Sequence, residues 1–115
     1  MRRGEIRLVD LDPARGAEAN KRRPAVIVSN DGANSTAERL GRAVVTIVPA
    51  TSTTERVFPF QVLLPASETG LERDSKAQAE QVRSVNVERI GERIGVVPPD
   101  LLLLLDEALR LHLSL

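Results

Sequence analysis

The chain alternates short apolar runs with polar or turn-forming segments, and this pattern predicts about six short strands followed by one helix. Strands are expected over residues 4–11, 24–28, 43–48, 57–64, 75–85 and 93–97. Pro24 opens the second strand and Pro49 closes the third, whereas Pro59 restricts the start of the fourth to an edge or a bulge. Short strands followed by a terminal helix predict a small, partly open antiparallel β-barrel.

Polar segments separate these strands. Residues 12–22 have turn chemistry and no periodicity, so we interpret them as a long exposed loop, and loops of this length are often functional. A turn at 30–32 is expected to precede a single helical turn over 35–40. Residues 67–74 are expected to form a loop, and Asn86 to cap a short turn over 87–90.

The last segment changes to a helical period. Pro98, Pro99 and Asp100 place prolines and an acid at a helix start. One face then carries Leu101, Leu104, Leu105, Ala108, Leu109 and His112. Leu102 and Leu103 extend the apolar surface beyond that face, which indicates a partner subunit over the helix. We interpret His112 as a core or interface residue.

Composition excludes several classes of chemistry. A length of 115 residues predicts one domain spanning 1–115. Without cysteine and with a single histidine, the chain cannot build a disulfide, a thiolate metal site or an internal histidine pair, so we expect no metal and no cofactor. The N-terminus lacks an apolar signal segment and the longest aliphatic run, 101–105, is too short to span a bilayer, so a cytoplasmic protein is expected.

Charge is balanced overall but unevenly distributed. Sixteen basic and sixteen acidic residues give no net charge, so the overall charge gives no indication for or against a nucleic-acid partner. Residues 15–23, however, carry four basic side chains and one acidic one. This segment predicts one cationic face, although solvated loop charge gives the same pattern.

Two strand ends carry the candidate chemistry. Arg22 and Arg23 stand at the mouth of the strand that begins with Pro24, and a guanidinium held there is a fixed cation whose donors match a phosphate. Thr51 and Ser52 follow the next buried strand, and their hydroxyls can donate to a phosphoryl oxygen. The plainer alternatives are surface charge for the arginines and turn capping for the hydroxyls.

A polar row on the fifth predicted strand is a further candidate. Alternation sends Gln81 and Arg83 to the same side, and a row of amide and charged side chains can read base edges. The row, which also includes Gln78 and Glu80, can equally be the solvated face of an edge strand. Only two aromatic residues are present, so a base-stacking platform is disfavoured.

Several short motifs follow one another along nearly the whole chain. They are Gly4-Glu5-Ile6, Asp10-Leu11-Asp12-Pro13, Arg15-Gly16-Ala17-Glu18, residues 22–29, residues 48–52, Phe58-Pro59-Phe60 and residues 78–84. This ordered set resembles the MazF/PemK family of toxin endoribonucleases. The resemblance implies an SH3-like β-barrel with a C-terminal helix, as in CcdB/PemK-like proteins, and a homodimer. It also implies sequence-specific, metal-independent cleavage of single-stranded RNA and neutralisation by a MazE-type antitoxin.

The resemblance also assigns site residues. The family's catalytic arginine, immediately before the strand proline, falls on Arg23, and its catalytic threonine falls on Thr51. RNA contacts are expected from Arg15, Glu18, Lys21, Arg22, Ser52, Gln78, Gln81 and Arg83. The accessible route is attack by the RNA's own 2′-OH on the adjacent phosphorus, with Arg23 and Thr51 stabilising the phosphoryl oxygens. Glu18 is a candidate general base, and Arg7 stands where family members often carry an aromatic residue.

Two other functions are open at this stage. A gyrase-poisoning toxin on the same barrel, as in CcdB, acts by binding, but CcdB depends on a C-terminal tryptophan segment and this chain has no tryptophan. A catalytically inert RNA-binding barrel would keep the basic loop and tolerate loss of Thr51.

Overall fold

The computed structural model describes residues 1–11 and 22–115. In this part of the chain the strands are β1 (Glu5–Asp10), β2 (Arg22–Ile27), β3 (Val44–Thr51), β4 (Gln61–Leu64), β5 (Ser75–Gln78), β6 (Arg83–Asn86) and β7 (Ile90–Val96). The helices are α1 (Asp31–Leu40), α2 (Ala66–Thr69) and α3 (Pro99–Leu113), with 3₁₀ turns at Ala79–Gln81 and Val87–Arg89. The predicted class, mainly β with short helices and a C-terminal helix, is confirmed.

The strands pair antiparallel in the order β4-β5-β3-β2-β1-β7, and β6 also pairs with β3. Within the described residues the path ends at β4 and β7, so hydrogen bonds do not close the sheet and the barrel is open. Strand β2 lies in the middle of this order. Its residues 25–27 are fully buried, as the unbroken apolar run predicts.

The central strands are covered on both faces, because alternating residues enter two separate cores. Val26 of β2 packs in the core that contains Leu105 of α3. Its neighbour Ile27 packs in a second core, which contains Ala37 of α1. A strand buried on both faces reads as a continuous hydrophobic run. The end of β2 that carries the arginines is therefore anchored by a rigid, doubly packed segment.

Helix α1 is longer than predicted. A single turn over 35–40 was expected, but the helix begins at Asp31 and has ten residues. Asn30, expected in a turn, caps the helix by accepting a hydrogen bond from a backbone N–H at 2.8 Å. Asn34 is fully buried and its side chain accepts a hydrogen bond from the Ser29 hydroxyl at 2.5 Å and donates to the Ser29 carbonyl at 2.9 Å. These bonds fasten α1 to the end of β2.

The predicted continuous strand over 75–85 is wrong. It is divided into β5 and β6 by the 3₁₀ turn at Ala79–Gln81, and both strands lie along the same edge of β3. Gln81 belongs to the turn and Arg83 to β6. Strand alternation therefore does not place these two side chains on a common side.

The turn changes the pairing register on β3. Ala50 pairs with Ala77 of β5, and an uninterrupted ladder would pair Ile47 with Glu80. Ile47 instead pairs with Arg83 of β6. The turn thus inserts three residues opposite the middle of β3.

Several element boundaries also differ from the predicted ones. Strand β4 begins only at Gln61, beyond the proline that limits it, and residues 67–69 belong to α2 rather than to a loop. Arg22 opens β2 instead of ending the preceding loop. Strand β3 does not end at Pro49 but continues to Thr51. On the edge of β3 that faces β5 and β6, Pro49 pairs with neither strand, so its missing N–H costs no ladder hydrogen bond there.

Arg7 connects β1 to β7. Its Nε donates to the Gly91 carbonyl at 2.9 Å, and its Nη1 pairs with Glu5 Oε1 at 2.8 Å. Burial raises the pKa of Glu5, but hydrogen bonds from Arg7 and from the Arg2 amide outweigh it and hold the pKa below its ordinary value. Glu5 is therefore ionised at neutral pH and holds Arg7 in place.

The C-terminal helix α3 is confirmed from Pro99 onward. Arg3 fastens it, since Nη2 contacts Asp106 Oδ1 at 2.6 Å while Nε donates to the Val28 carbonyl at 2.8 Å. Two residues of the predicted apolar face, Leu104 and His112, are nevertheless exposed, and so are Leu103 and Leu111 beside it. His112 is thus not a core residue of the single chain. No helix in the described ranges is both long and apolar enough to cross a membrane.

Candidate active site

Strands β2 and β3 bring the two predicted catalytic residues to the same place. The ladder between them ends with the pair Ala25 and Pro49. Arg23 and Thr51 lie two residues beyond that pair, one on each strand. The pairing of β2 with β3 therefore brings together two residues that are 28 positions apart in the sequence.

Arg23, Thr51 and Ser52 line one cavity of about 670 Å³. Apolar side chains form much of the remaining wall, among them Leu8, Pro24, Ala50, Leu71 and Ile94. A cation and hydroxyl donors set into a largely apolar wall match the usual composition of ligand pockets, in which few polar groups fix the ligand. The arrangement can hold a phosphodiester through its anionic oxygens.

The hydroxyls keep their capacity to donate. Thr51 is half-buried, and its Oγ1 accepts a hydrogen bond from the Thr53 amide at 3.2 Å. An accepting hydroxyl oxygen still carries its own hydrogen, which it can direct at a second acceptor. Turn capping and phosphate binding by Thr51 are thus compatible rather than alternative interpretations. Ser52, the next residue, is exposed.

Lys76 is a residue near the site that the sequence did not indicate. It pairs directly with Thr51 across β3 and β5, and only 8% of it is exposed. Its Nζ donates to the Arg56 carbonyl at 2.6 Å and lies 5.8 Å from the centre of the Phe58 ring. Lys76 therefore ties the segment after Thr51 to β5 and restricts where that segment can move.

A second segment of the cavity wall was also missed. Gly70, Leu71, Glu72, Arg73 and Ser75 all line the cavity beside Arg23. The sequence predicted a loop over residues 67–74 and the start of a strand at Ser75, with no role in a site for either. The charged run Glu72-Arg73-Asp74 directly after Leu71 was the available signal.

The remaining predicted RNA contacts are not brought into this cavity by the described structure. Arg22 is exposed, whereas Gln78, Gln81 and Arg83 are partly buried. None of these four residues lines the cavity. Arg15, Glu18 and Lys21 lie outside the described residues. The cavity therefore brings together Arg23, Thr51 and Ser52 but not the other candidates, and the role of each of these residues stays a prediction.

Glu80, one of the polar row, makes a buried structural contact. Its Oε2 accepts a hydrogen bond from Gln61 Nε2 at 2.7 Å, and Gln61 Oε1 in turn accepts from the Phe58 amide at 3.1 Å. Within the described part of the chain, Glu80 Oε1 and Gln78 Oε1 are buried without a hydrogen-bond partner. In the same part of the chain, no group of three or more histidine, aspartate or glutamate side chains is arranged to hold a metal ion.

Fold and cavity together define a class, the small, open antiparallel β-barrels with a cavity lined by arginine and hydroxyl side chains. Residues 2–113 match the family described as PemK-like, MazF-like toxin of type II toxin-antitoxin system. The chain therefore belongs to this toxin family.

Individual relatives agree with this assignment. Endoribonuclease MazF9 of Mycobacterium tuberculosis is 64% identical over 115 residues, which cover all of this chain and 98% of the relative. Endoribonuclease EndoA of Bacillus subtilis is 30% identical over 115 residues, covering all of this chain and 96% of EndoA.

Solved structures share the fold. MazF of Deinococcus radiodurans superposes with a TM-score of 0.83 at 25% identity, covering all of this chain and 97% of that one. An endoribonuclease from a mycobacterial species, solved in complex with its cognate antitoxin, gives a TM-score of 0.78 at 26% identity and covers all of this chain and 96% of that one.

Proposed function

We propose that this chain is a toxin endoribonuclease that cleaves single-stranded RNA at specific sequences without a metal ion. Family membership supports RNA cleavage, because its relatives are named endoribonucleases. The observation that carries the proposal is the shared cavity of Arg23, Thr51 and Ser52. These side chains suit a phosphodiester, and an RNA phosphodiester carries a nucleophile on the neighbouring ribose.

The protein's task in such a reaction is positioning and charge stabilisation. The 2′-oxygen attacks the adjacent phosphorus, the P–O5′ bond breaks, and the products are a 2′,3′-cyclic phosphate and a 5′-OH. Negative charge grows on the non-bridging oxygens as the fifth bond forms. Arg23 supplies a permanent cation with a forked donor set, and Thr51 supplies a hydroxyl donor.

The chemistry of the products tests this proposal. RNA of diverse sequence, incubated with the pure protein in EDTA, is expected to be cut at recurring sequences, leaving 2′,3′-cyclic phosphate and 5′-OH ends. Mapping the ends by ligation with and without prior phosphatase and kinase treatment identifies both groups. Intact RNA, or activity that returns only when Mg²⁺ is added, would contradict metal-independent cleavage. Binding without cleavage would instead indicate an inert RNA-binding barrel.

A homodimer that covers α3 is part of the proposal. Leu103, Leu104 and Leu111 are between 54% and 65% exposed, which leaves an unusually apolar helix surface in the single chain. Beside it, an open groove of about 570 Å³ runs between α3 and β4 and is lined by Leu63, Leu104 and Leu111 among others. Burial of this surface by a second copy would remove the exposed leucines from water.

Leu104→Asp is expected to convert the dimer to a monomer at micromolar concentration, because a carboxylate would be buried in an apolar contact. Sedimentation velocity measures the change. Leu40→Asp is the matched control, since Leu40 has nearly the same exposure but lies on α1. A dimer unaffected by Leu104→Asp would place the interface elsewhere.

Neutralisation by a MazE-type antitoxin follows from the same cationic cavity. An acidic antitoxin tail can occupy the site that binds RNA phosphates, which explains inhibition by direct competition. The solved complex of a mycobacterial endoribonuclease with its antitoxin supports a partner of this kind. Competition between RNA and the purified antitoxin checks it. A cytoplasmic location is part of the same proposal, because messenger RNA is the substrate that it names.

A further inference from the structure

The segment between α2 and β5 places a second cation in the cavity. Arg73 lines the same space as Arg23, although the two residues come from different elements. Arg73 is exposed, and among the described residues its guanidinium has no hydrogen-bond or ion-pair partner. Its neighbour Glu72 also lines the cavity, and the two side chains do not pair with each other.

The backbone that carries Arg73 is held in place from both sides. Leu71 is almost fully buried in the core beneath α3. Asp74 Oδ1 accepts a hydrogen bond from the Ala66 amide at 2.8 Å, and the buried Ser75 donates from Oγ to the Arg73 carbonyl at 3.2 Å. The backbone of Arg73 is therefore held beside the cavity, and its guanidinium can reach the cavity from a fixed starting point.

An anchored but unpaired arginine in a phosphate-binding cavity is suited to an anionic ligand. A cavity of about 670 Å³ exceeds the space that a single phosphodiester needs and falls within the range for pockets that hold whole small ligands. RNA presents one anionic phosphate per nucleotide, so a bound strand brings further phosphates beside the one being cleaved. In the proposed reaction Arg23 binds the scissile phosphate. Among the described residues that line the cavity, Arg73 is the other cation, and it can bind a second phosphate.

We infer that Arg73 is a substrate-positioning residue that binds a phosphate flanking the scissile one, and so fixes the register of the RNA strand in the cavity. This inference rests on the proposed function. It assigns Arg73 to binding rather than to chemistry, because phosphate contacts position a nucleic acid without acting on the reacting bond.

Substrate length separates this role from a structural one. The test uses a dinucleotide that spans the mapped cut and carries one phosphate, together with trinucleotides extended by one nucleotide on the 5′ or the 3′ side. Wild-type protein is expected to gain kcat/KM from one of the two extensions. On that trinucleotide, Arg73→Ala is expected to have a kcat/KM about tenfold or more below that of the wild type, because KM rises while kcat is unchanged. On the dinucleotide, Arg73→Ala should have the same kcat/KM as the wild type. Arg73→Lys should recover part of the loss, because it keeps the charge but not the fork.

Binding supplies a readout that does not depend on cleavage. Fluorescence anisotropy with uncleavable 2′-deoxy versions of the three oligonucleotides should show the same length dependence. The slope of log K against log salt should fall by about 0.7 in Arg73→Ala, as expected for one phosphate contact on a single strand. Arg42→Ala removes an equal charge from an exposed residue outside the cavity lining and is the matched control.

The outcomes are distinct. Equal losses on the dinucleotide and the trinucleotides, or no loss on either, would overturn the role of Arg73. Failure of wild-type protein to bind any of the oligonucleotides would overturn it too. If wild-type protein binds them but cuts no RNA, the proposed function fails, whereas a length-dependent loss of binding in Arg73→Ala still supports the second phosphate site.

Discussion

Arg23→Ala is expected to lower kcat for RNA cleavage by ~10²–10³, which corresponds to about 3–4 kcal/mol of transition-state stabilisation. The loss falls on kcat because charge on the phosphoryl oxygens grows only as the reaction proceeds, so the contact is stronger in the transition state than in the bound substrate. Single-turnover cleavage of a short RNA with the mapped site measures it. Thermal unfolding and sedimentation establish that the variant is folded and has the oligomeric state of the wild type.

Two comparison variants make the Arg23 result specific. Arg23→Lys keeps the charge but loses the planar fork, so an intermediate rate is expected. Arg42→Ala removes one positive charge from an exposed position outside the cavity and should cleave at the wild-type rate. Wild-type kcat in a folded Arg23→Ala protein would remove Arg23 from the reaction.

A single deoxyribose on the 5′ side of the cut is expected to abolish cleavage at that bond. The substitution removes the attacking oxygen and leaves the phosphate, the bases and the strand length unchanged. Because a 2′,3′-cyclic phosphate contains the 2′-oxygen, there is no second route to the same products. Gel or mass analysis of end-labelled oligonucleotides after long incubation measures the residual cleavage.

The control oligonucleotide carries the deoxyribose one nucleotide further from the cut. It should be cleaved at a rate close to that of all-RNA substrate, which establishes that one missing hydroxyl does not by itself prevent binding. Continued cutting of the first oligonucleotide with a 5′-phosphate product would mean that water attacks the phosphorus, and would end the 2′-OH mechanism.

The parts of the fold that sequence predicted well are those in which burial imposes a regular pattern. Residues 25–28 had to be a central strand because each of them is apolar, and the structure covers β2 on both faces. The leucine-rich terminal segment had to be a helix because its apolar residues recur with helical spacing. Arg23 and Thr51 stand at the ends of such regular segments, so their meeting in one cavity was predictable.

Elements without an apolar period were predicted poorly. Most of helix α1 faces solvent, and its buried residues are Asn34 and Ala37. A polar residue at a buried position removes the pattern that would have identified a ten-residue helix. The prediction of one strand over 75–85 was wrong for a different reason. Each half is a strand with its own alternation, but the three-residue turn between them shifts the register in which β6 pairs with β3 relative to that of β5.

The second wall of the cavity could not be predicted because tertiary structure alone brings it there. β4 and α2 lie between Thr51 and residues 70–75 in the sequence. No pattern in residues 70–75 predicts that they lie close to β3. The pairing of β5 with β3 is what carries this segment to the cavity. Lys76 was missed for the same reason, since its burial depends on Arg56 and Phe58 from another segment.

The three-residue turn at Ala79–Gln81 allows one strand to serve two independent neighbours. β3 is aligned with β6 at its beginning and with β5 at the end that carries Thr51, and the turn accommodates the difference between the two pairing registers. The length of the turn therefore determines which residues of β5 lie beside Thr51. Removing one residue from it would slide Lys76 and Ser75 past Thr51 and reverse which side chains face inward, even though the change lies outside the cavity lining.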